Sequence, residues 1–298
     1  MVHYNSRKEG AVETCKAIRS AGYSCEGILQ CDFRSPKAID DMFTTVDAKW
    51  GGELDILVNN AGIVSKLAIE DENDDLSVWH ETMAVNLHAP VQLSRLAHQR
   101  MKRKGDGVIV MNSSIHGTIS VEWMIAYAAS KAALDQVTRG LSSEWAADGV
   151  RINSVAPGVV PVERTEAVLN SPESQELWLP HLPIGRMGAV DDIAEAVAYI
   201  CSAKWMSGSI LTVDGGMTAR ANMPFRPRPI PSLSQHHLLL PIFRHKFSSM
   251  TYARMCRSNS SRLNFQHTLV RLLAASYSYE EFCAITKTYL KITCISVA

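Results

Sequence analysis

The chain has 298 residues, 46% of them hydrophobic and 20% charged, and its 30 basic residues are matched by 30 acidic ones. These proportions are those of a soluble globular protein and exclude both a basic surface throughout and a highly charged disordered chain. No run approaches the roughly 20 apolar residues of a membrane span, and residues 1–7 do not read as a secretory signal. Taken in chain order, helical spacing covers 9–21 and 36–50, an apolar run stands at 56–58, and helical spacing returns over 76–102. Then come an apolar run at 108–111, a helix over 125–147, a run at 152–156, a helix over 190–202 and a last run at 210–213. Continuous apolar strands alternating with amphipathic helices predict a parallel sheet covered on both faces. Ligands of such sheets bind beyond the carboxyl ends of the strands.

The neutral average hides two parts. From Arg220 onward eleven basic residues face two acidic ones, so the first 219 residues carry the compensating acidic excess. All six tryptophans lie at or before Trp205, and four prolines fall between Pro224 and Pro231. The seven cysteines (Cys15, Cys25, Cys31, Cys201, Cys256, Cys283 and Cys294) are scattered, without a CxxC pair. Reduced thiols in a cytoplasmic protein are expected, with neither a disulfide frame nor a zinc site.

Chemistry is expected just after the strands. Asn112-Ser113-Ser114 follows the run at 108–111, and the next helix carries Tyr127 and Lys131, one turn apart on one face. An ammonium there favours the phenolate and lowers the tyrosine pKa from about 10. Such a tyrosine can exchange a proton with a carbonyl or alcohol oxygen, and Ser114 can hydrogen-bond the same oxygen. By itself the pair would equally suit a solvated helix face.

The wider constellation is more specific. Residues 54–58 run into Asn59-Asn60-Ala61-Gly62, Asn86 lies on the next helix, and Ser114 precedes Tyr127 by 13 positions. Asn153-Ser154-Val155-Ala156-Pro157-Gly158 and Val213-Asp214-Gly215-Gly216 follow. In this order and spacing the motifs resemble the short-chain dehydrogenase/reductase family, in its large group similar to 3-oxoacyl-carrier-protein reductases and glucose dehydrogenases. The resemblance runs from about residue 1 to 217.

The resemblance implies a Rossmann-type α/β fold and hydride transfer between NADP(H) and a carbonyl or secondary alcohol. It also implies a homo-oligomer, dimer or tetramer, built on the helices at 76–102 and 125–147. Tyr127 would be the general acid/base. Lys131 would lower its pKa and bind the nicotinamide ribose, Ser114 would hold the substrate oxygen, and Asn86 would support a water in the proton relay. Asn59, Ala61 and Gly62 would line the adenosine side, besides forming a strand-end turn. Asp32, followed by Phe33 at the end of another strand, would meet the adenine or else serve a turn or helix cap. Pro157, Gly158 and Val160 would pass near the nicotinamide. Val162 stands where the family often has Thr, which leaves any contact to the cofactor amide to the backbone. Where the family places an acid against the adenosine ribose, this chain has Asn5-Ser6-Arg7-Lys8. Two cations and two small polar groups suit a 2′-phosphate, hence NADP over NAD; the alternative is that Arg7 and Lys8 open a surface helix.

Two departures stand out. The strand at 1–4 matches the family's second strand, so the first strand and its glycine-rich turn are expected to be lacking. That would leave the strands at 1–4 and 55–59 without their shared partner and weaken pyrophosphate binding. At the other end, a short-chain dehydrogenase/reductase domain over 1–222 is expected to give way to a Pro-rich, then basic, poorly ordered tail over 223–298. A basic tail could bind an anionic surface, nucleic acid or a partner, or be a read-through; for the chain as a whole neither a nucleic-acid nor a membrane partner is expected. The alternative to an active enzyme is a truncated, inactive homologue or interaction subunit. On the substrate side, residues 159–188 should form a variable lid offering Trp178, Leu179, His181, Leu182 and Met187. Ile115, His116, Trp123 and Met124 should surround the catalytic loop, with His116 meeting a polar substrate or lying on ordinary surface.

Overall fold

A computed structural model of the chain describes residues 1–71 and 75–220; the expected tail over 223–298 lies outside the described residues. The chain alternates strand and helix from its start. β1 (Val2–Tyr4) leads to α1 (Lys8–Ser20), β2 (Ile28–Gln30), α2 (Pro36–Trp50) and β3 (Ile56–Asn59). Next come α3 (Ser77–Met83), α4 (Ala89–Lys104), β4 (Gly107–Asn112), α5 (Ile125–Trp145) and β5 (Val150–Pro157). The short helices α6 (Glu166–Leu169) and α7 (Pro172–Trp178) precede α8 (Val190–Ser202) and β6 (Ile210–Val213). No helix among the described residues is long and apolar enough to cross a membrane.

Local chemistry sets the boundaries. α2 starts where Ser35 Oγ accepts the Ala38 amide with Pro36 in the first turn, and ends where Gly51 turns left-handed. Gly105 ends α4 the same way.

All ladders are parallel, in the orders β1–β2 and β3–β4–β5–β6. Side chains alternate between two faces, as strand geometry requires. Leu57, Ile109, Met111 and Ile152 enter the core under α2, α4 and α5, beside Phe43, Leu93 and Leu134. Ile56, Val58, Val108, Val110 and Val155 face Ile200 and the apolar side of α8. Each such fully buried aliphatic side chain contributes about 1.5–3 kcal/mol, so these two cores hold the four-stranded sheet.

Among the described residues no ladder joins β1 to β3. The pair β1–β2 has its own small core of Val2, Ala11, Cys15 and Cys25. Here the expectation of reduced thiols is corrected, because Cys15 and Cys25 form a disulfide. α1 and the turn returning to β2 bring their Cα atoms to 5.7 Å, inside the range a disulfide spans. A separation of ten residues carries no motif that would have announced it.

Candidate active site

β4 delivers Asn112, Ser113 and Ser114 to the carboxyl edge of the four-stranded sheet, and α5 lays Tyr127 and Lys131 across them. Ser114 caps the short turn Ile115–Gly117, its Oγ accepting the His116 amide at 3.2 Å. Ser114 also hydrogen-bonds the Tyr127 side chain. His116 stands edge-on to the Tyr127 ring with centroids 5.8 Å apart, and burial holds its pKa below the usual histidine value. Trp123, just before α5, has left-handed backbone (φ 61°), a sparsely populated state for a bulky residue.

Lys131 is 4% exposed. Its Nζ donates to the Asn112 carbonyl at 2.6 Å and stands 5.5 Å from the Tyr127 ring centre. Burial brings its pKa down to about 8, against the pull of Asp135. The expectation that Lys131 lowers the Tyr127 pKa is not what this geometry gives. Tyr127 is raised above its ordinary value, because burial opposes the phenolate more than the Ser114 hydrogen bond and the nearby Arg164 favour it. Lys131 Nζ is turned to the Asn112 carbonyl, and burial disfavours ionisation of Tyr127.

Asn86 is placed by a feature the sequence pattern hid. The helical stretch at 76–102 is interrupted by one π-helical turn, Ala84–His88. Such turns often mark functional positions. Asn86 exchanges hydrogen bonds with both backbone groups of Ile63, at 2.9 and 2.8 Å, and donates to Ser130 Oγ at 3.2 Å. Ser130 in turn donates to the Tyr127 carbonyl at 2.7 Å, so Asn86 ties the turn after β3 to α5.

A cleft of about 610 Å³ lies over this turn, lined by Asn5, Ser6, Arg7, Asp32, Phe33, Ala61 and Gly62 together with Val162, Glu163 and Arg164. Gly62 links the cleft to Asn86 and Lys131, for a β-carbon on it would meet Asn86 Oδ1 at 3.3 Å and Lys131 Nζ at 3.6 Å. Seven of the expected cofactor-binding positions therefore line one cleft. Lys8 instead opens α1. Asn59 turns its side chain inward, Nδ2 donating to Ser94 Oγ at 3.0 Å. Asp32 is engaged by Arg34, which also pairs with Glu81, and Phe33 stacks on His3 at 4.0 Å. Pro157 and Gly158 end β5 against Asp214. Val160 borders a separate small hollow with Ile184, Arg186 and Asp214.

The residues present fit a nicotinamide dinucleotide at two points. The cleft lining holds the polar groups Asn5, Ser6 and Arg7, and also a glycine, Gly62, that packs over buried Lys131. Asn112 Oδ1 and His116 Nδ1 are buried without a hydrogen-bond partner among the described residues.

Asp135 escaped the sequence reading. It lies one turn beyond Lys131, 3% exposed, hydrogen-bonded to Ser113. A β-carbon on Gly117 would come 2.5 Å from its Oδ2. The signal was available, since an acid four residues after Lys131 shares the inward face of α5.

A family model described as enoyl-(acyl carrier protein) reductase matches residues 1–218. The chain belongs to the short-chain dehydrogenase/reductase family. A tropinone reductase homologue of Arabidopsis thaliana is 35% identical over 222 residues, covering 73% of this chain and 82% of the relative. A 3β-hydroxysteroid dehydrogenase of Eggerthella lenta is 34% identical over 228 residues, 76% of this chain and 86% of the relative. Among solved structures, a gluconate 5-dehydrogenase of Burkholderia cenocepacia in complex with NADP and tartrate superimposes with a TM-score of 0.66 at 27% identity, over 74% of this chain and 86% of that one. A 7α-hydroxysteroid dehydrogenase with NADH gives 0.66 at 29% identity, over 72% and 82%. The Rossmann-like parallel sheet and the family membership agree with the sequence reading, and the chain is a short-chain type oxidoreductase.

Proposed function

We propose that the protein interconverts a carbonyl compound and a secondary alcohol with NADP(H), Tyr127 serving as the proton donor in the direction of reduction. The observation that carries this is the single constellation of Ser114, Tyr127, Lys131 and Asn86, joined to the cleft where Gly62 packs on Asn86 and Lys131. When bound, the nicotinamide supplies or accepts the hydride. The chain's own part is to hold the substrate oxygen between the Ser114 and Tyr127 hydroxyls and to release a proton to it from a buried neutral phenol. Lys131 and Asn86 hold the floor of the site, Lys131 on the Asn112 carbonyl and Asn86 on Ile63.

The preference for NADP is supported by Asn5, Ser6 and Arg7 in the cleft lining, where the exposed Arg7 guanidinium, now paired with Glu163, can exchange that carboxylate for a phosphate. A homo-oligomer and a cytoplasmic location complete the reading; the Cys15–Cys25 disulfide weighs against the latter. The experiment is a cofactor-oxidation screen over ketones, β-ketoacyl thioesters, polyols and aldoses with NADPH and NADH in parallel. Turnover of a carbonyl compound that prefers NADPH supports the reading. Binding of neither cofactor refutes it.

A further inference from the structure

The loop that carries Ser114 is fastened at both ends. Ser113, 2% exposed, donates its amide to the Val155 carbonyl of β5 at 2.8 Å and its hydroxyl to the Lys131 carbonyl of α5 at 3.4 Å. At the other end Gly117 lies on the Asp135 carboxyl, one turn further along α5. A β-carbon on Gly117 would come 2.5 Å from Asp135 Oδ2, 3.4 Å from its Cγ and 3.4 Å from the Lys131 carbonyl oxygen. Gly117 is not left-handed, so its missing side chain serves this close approach and not the backbone. Between the two anchors the Ser114 carbonyl accepts the Gly117 amide at 2.9 Å, and Ser114 Oγ accepts the His116 amide. A shift of Gly117 is therefore passed directly to Ser114.

Packing alone does not call for an acid at this place. Asp135 is buried, and its Oδ1 has no hydrogen-bond partner among the described residues. A buried carboxyl left half-satisfied opposes folding, and a small apolar side chain would remove that penalty. What the carboxyl supplies instead is a flat group that fits against a bare Cα, and an acceptor for the Ser113 hydroxyl. Both ends of the loop thus meet one side chain. Asp135 is not in the lining of the cleft, so it bears on the reacting atoms only through that loop.

Resting on the reading that Ser114 and Tyr127 hold the substrate oxygen, we infer that Asp135 is a positioning residue of the reaction. It seats Gly117, and through the hydrogen bond between Gly117 and Ser114 it fixes the Ser114 hydroxyl beside that of Tyr127.

The test measures kcat and KM for a carbonyl compound from the screen above, NADPH affinity by fluorescence titration, and hydrogen exchange at the Gly117 amide. Asp135→Ala should lower kcat about thirtyfold, as a misplaced binding group does, with KM and NADPH affinity within about threefold of the parent. The Gly117 amide should lose protection while the β4 and β5 amides keep theirs. Asp135→Asn keeps the flat shape and one acceptor oxygen, so it should restore kcat to within about fivefold of the parent. Gly117→Ala drives the carboxyl away and should be slow as well. Combined with Asp135→Ala, its loss should not add to the other, because both act at one contact. Should Asp135→Ala not fold, Gly117→Ala and Asp135→Asn carry the same decision. Unchanged kcat in Asp135→Ala or in Gly117→Ala would overturn the inference and leave the reductase reading standing. So would additive losses, an Asn variant as slow as the Ala one, or an equal fall in NADPH affinity. Hydrogen exchange needs no turnover. A parent that reduces nothing, with Gly117 protection lost in Asp135→Ala, would sink the reductase reading and keep the seat. Unmoved protection and no turnover would sink both.

Discussion

Gly62 rests against Lys131, its missing β-carbon leaving 3.6 Å to Lys131 Nζ and 3.3 Å to Asn86 Oδ1. One methyl group at that distance needs a shift of only a few tenths of an ångström, while a branched side chain would displace either Lys131 or the cleft wall. Gly62→Ala is therefore expected to leave NADPH affinity within about threefold of the parent, and Gly62→Val to lower it more than about tenfold. Fluorescence titration with NADPH decides this. A Val variant that binds as the parent does would mean that the cleft is not the cofactor site.

Tyr127→Phe keeps the ring and its edge contact with His116 but removes the transferable proton. Turnover should fall about a thousandfold, in line with the loss of a positioned acid, while cofactor binding changes little. A variant retaining turnover within tenfold of the parent would show that another group carries the proton.

Much of this was legible beforehand, for identifiable reasons. Alternating apolar strands read directly, because Leu57, Ile109 and Ile152 face one helical layer and Val58, Val110 and Val155 the other. The Ser114, Tyr127 and Lys131 set read directly because its spacing is fixed by one loop and one helical turn. What stayed hidden depends on long-range placement. The π-helical turn at Ala84–His88 leaves an ordinary helical pattern in the sequence. The direction of the Tyr127 shift turns on burial, which spacing does not report. On α5, Leu134 is buried in the chain's own core and Val137, Leu141 and Trp145 pack against it half-buried, a division of the stripe that spacing does not report.

Lys131 gives opposite pH trends in activity and stability. Its pKa in the folded chain is about 8, below the ordinary lysine value of 10.5. Reduction that relies on the charged ammonium should decline as pH rises through about 8. Lys131→Arg, which stays charged, should lose that break even if its rate is lower. For stability the sign is reversed. Between about 8 and 10.5 the unfolded chain binds more protons than the folded one, so this group's contribution rises with pH across that window. Thermal melts of the parent against Lys131→Met should show the parent gaining on the variant from about pH 8 to 10. A flat difference would mean that Lys131 titrates normally.

The β1–β2 pair should be the acid-sensitive part of the described fold. It is a two-stranded ladder, and such pairs are marginal unless packing supports them. Part of that support is His3, 3% exposed, stacked on Phe33 and bonded through Nε2 to the Cys31 carbonyl at 2.8 Å. Burial lowers the His3 pKa from the ordinary 6.5, although the Cys31 contact pulls the other way. Below about 6.5 the unfolded segment therefore takes up a proton that the folded one resists, and stability falls as pH falls. Hydrogen exchange at about pH 5.5 and 7.5, corrected for intrinsic rates, should show β1 and β2 amides losing protection at the lower pH while β4 and β5 hold theirs. His3→Leu keeps an apolar group against Phe33 without a titrating one, so it should remove the pH dependence even though the Cys31 carbonyl loses its partner. Equal loss of protection across all four strands would mean that the acid response is global and does not start at His3.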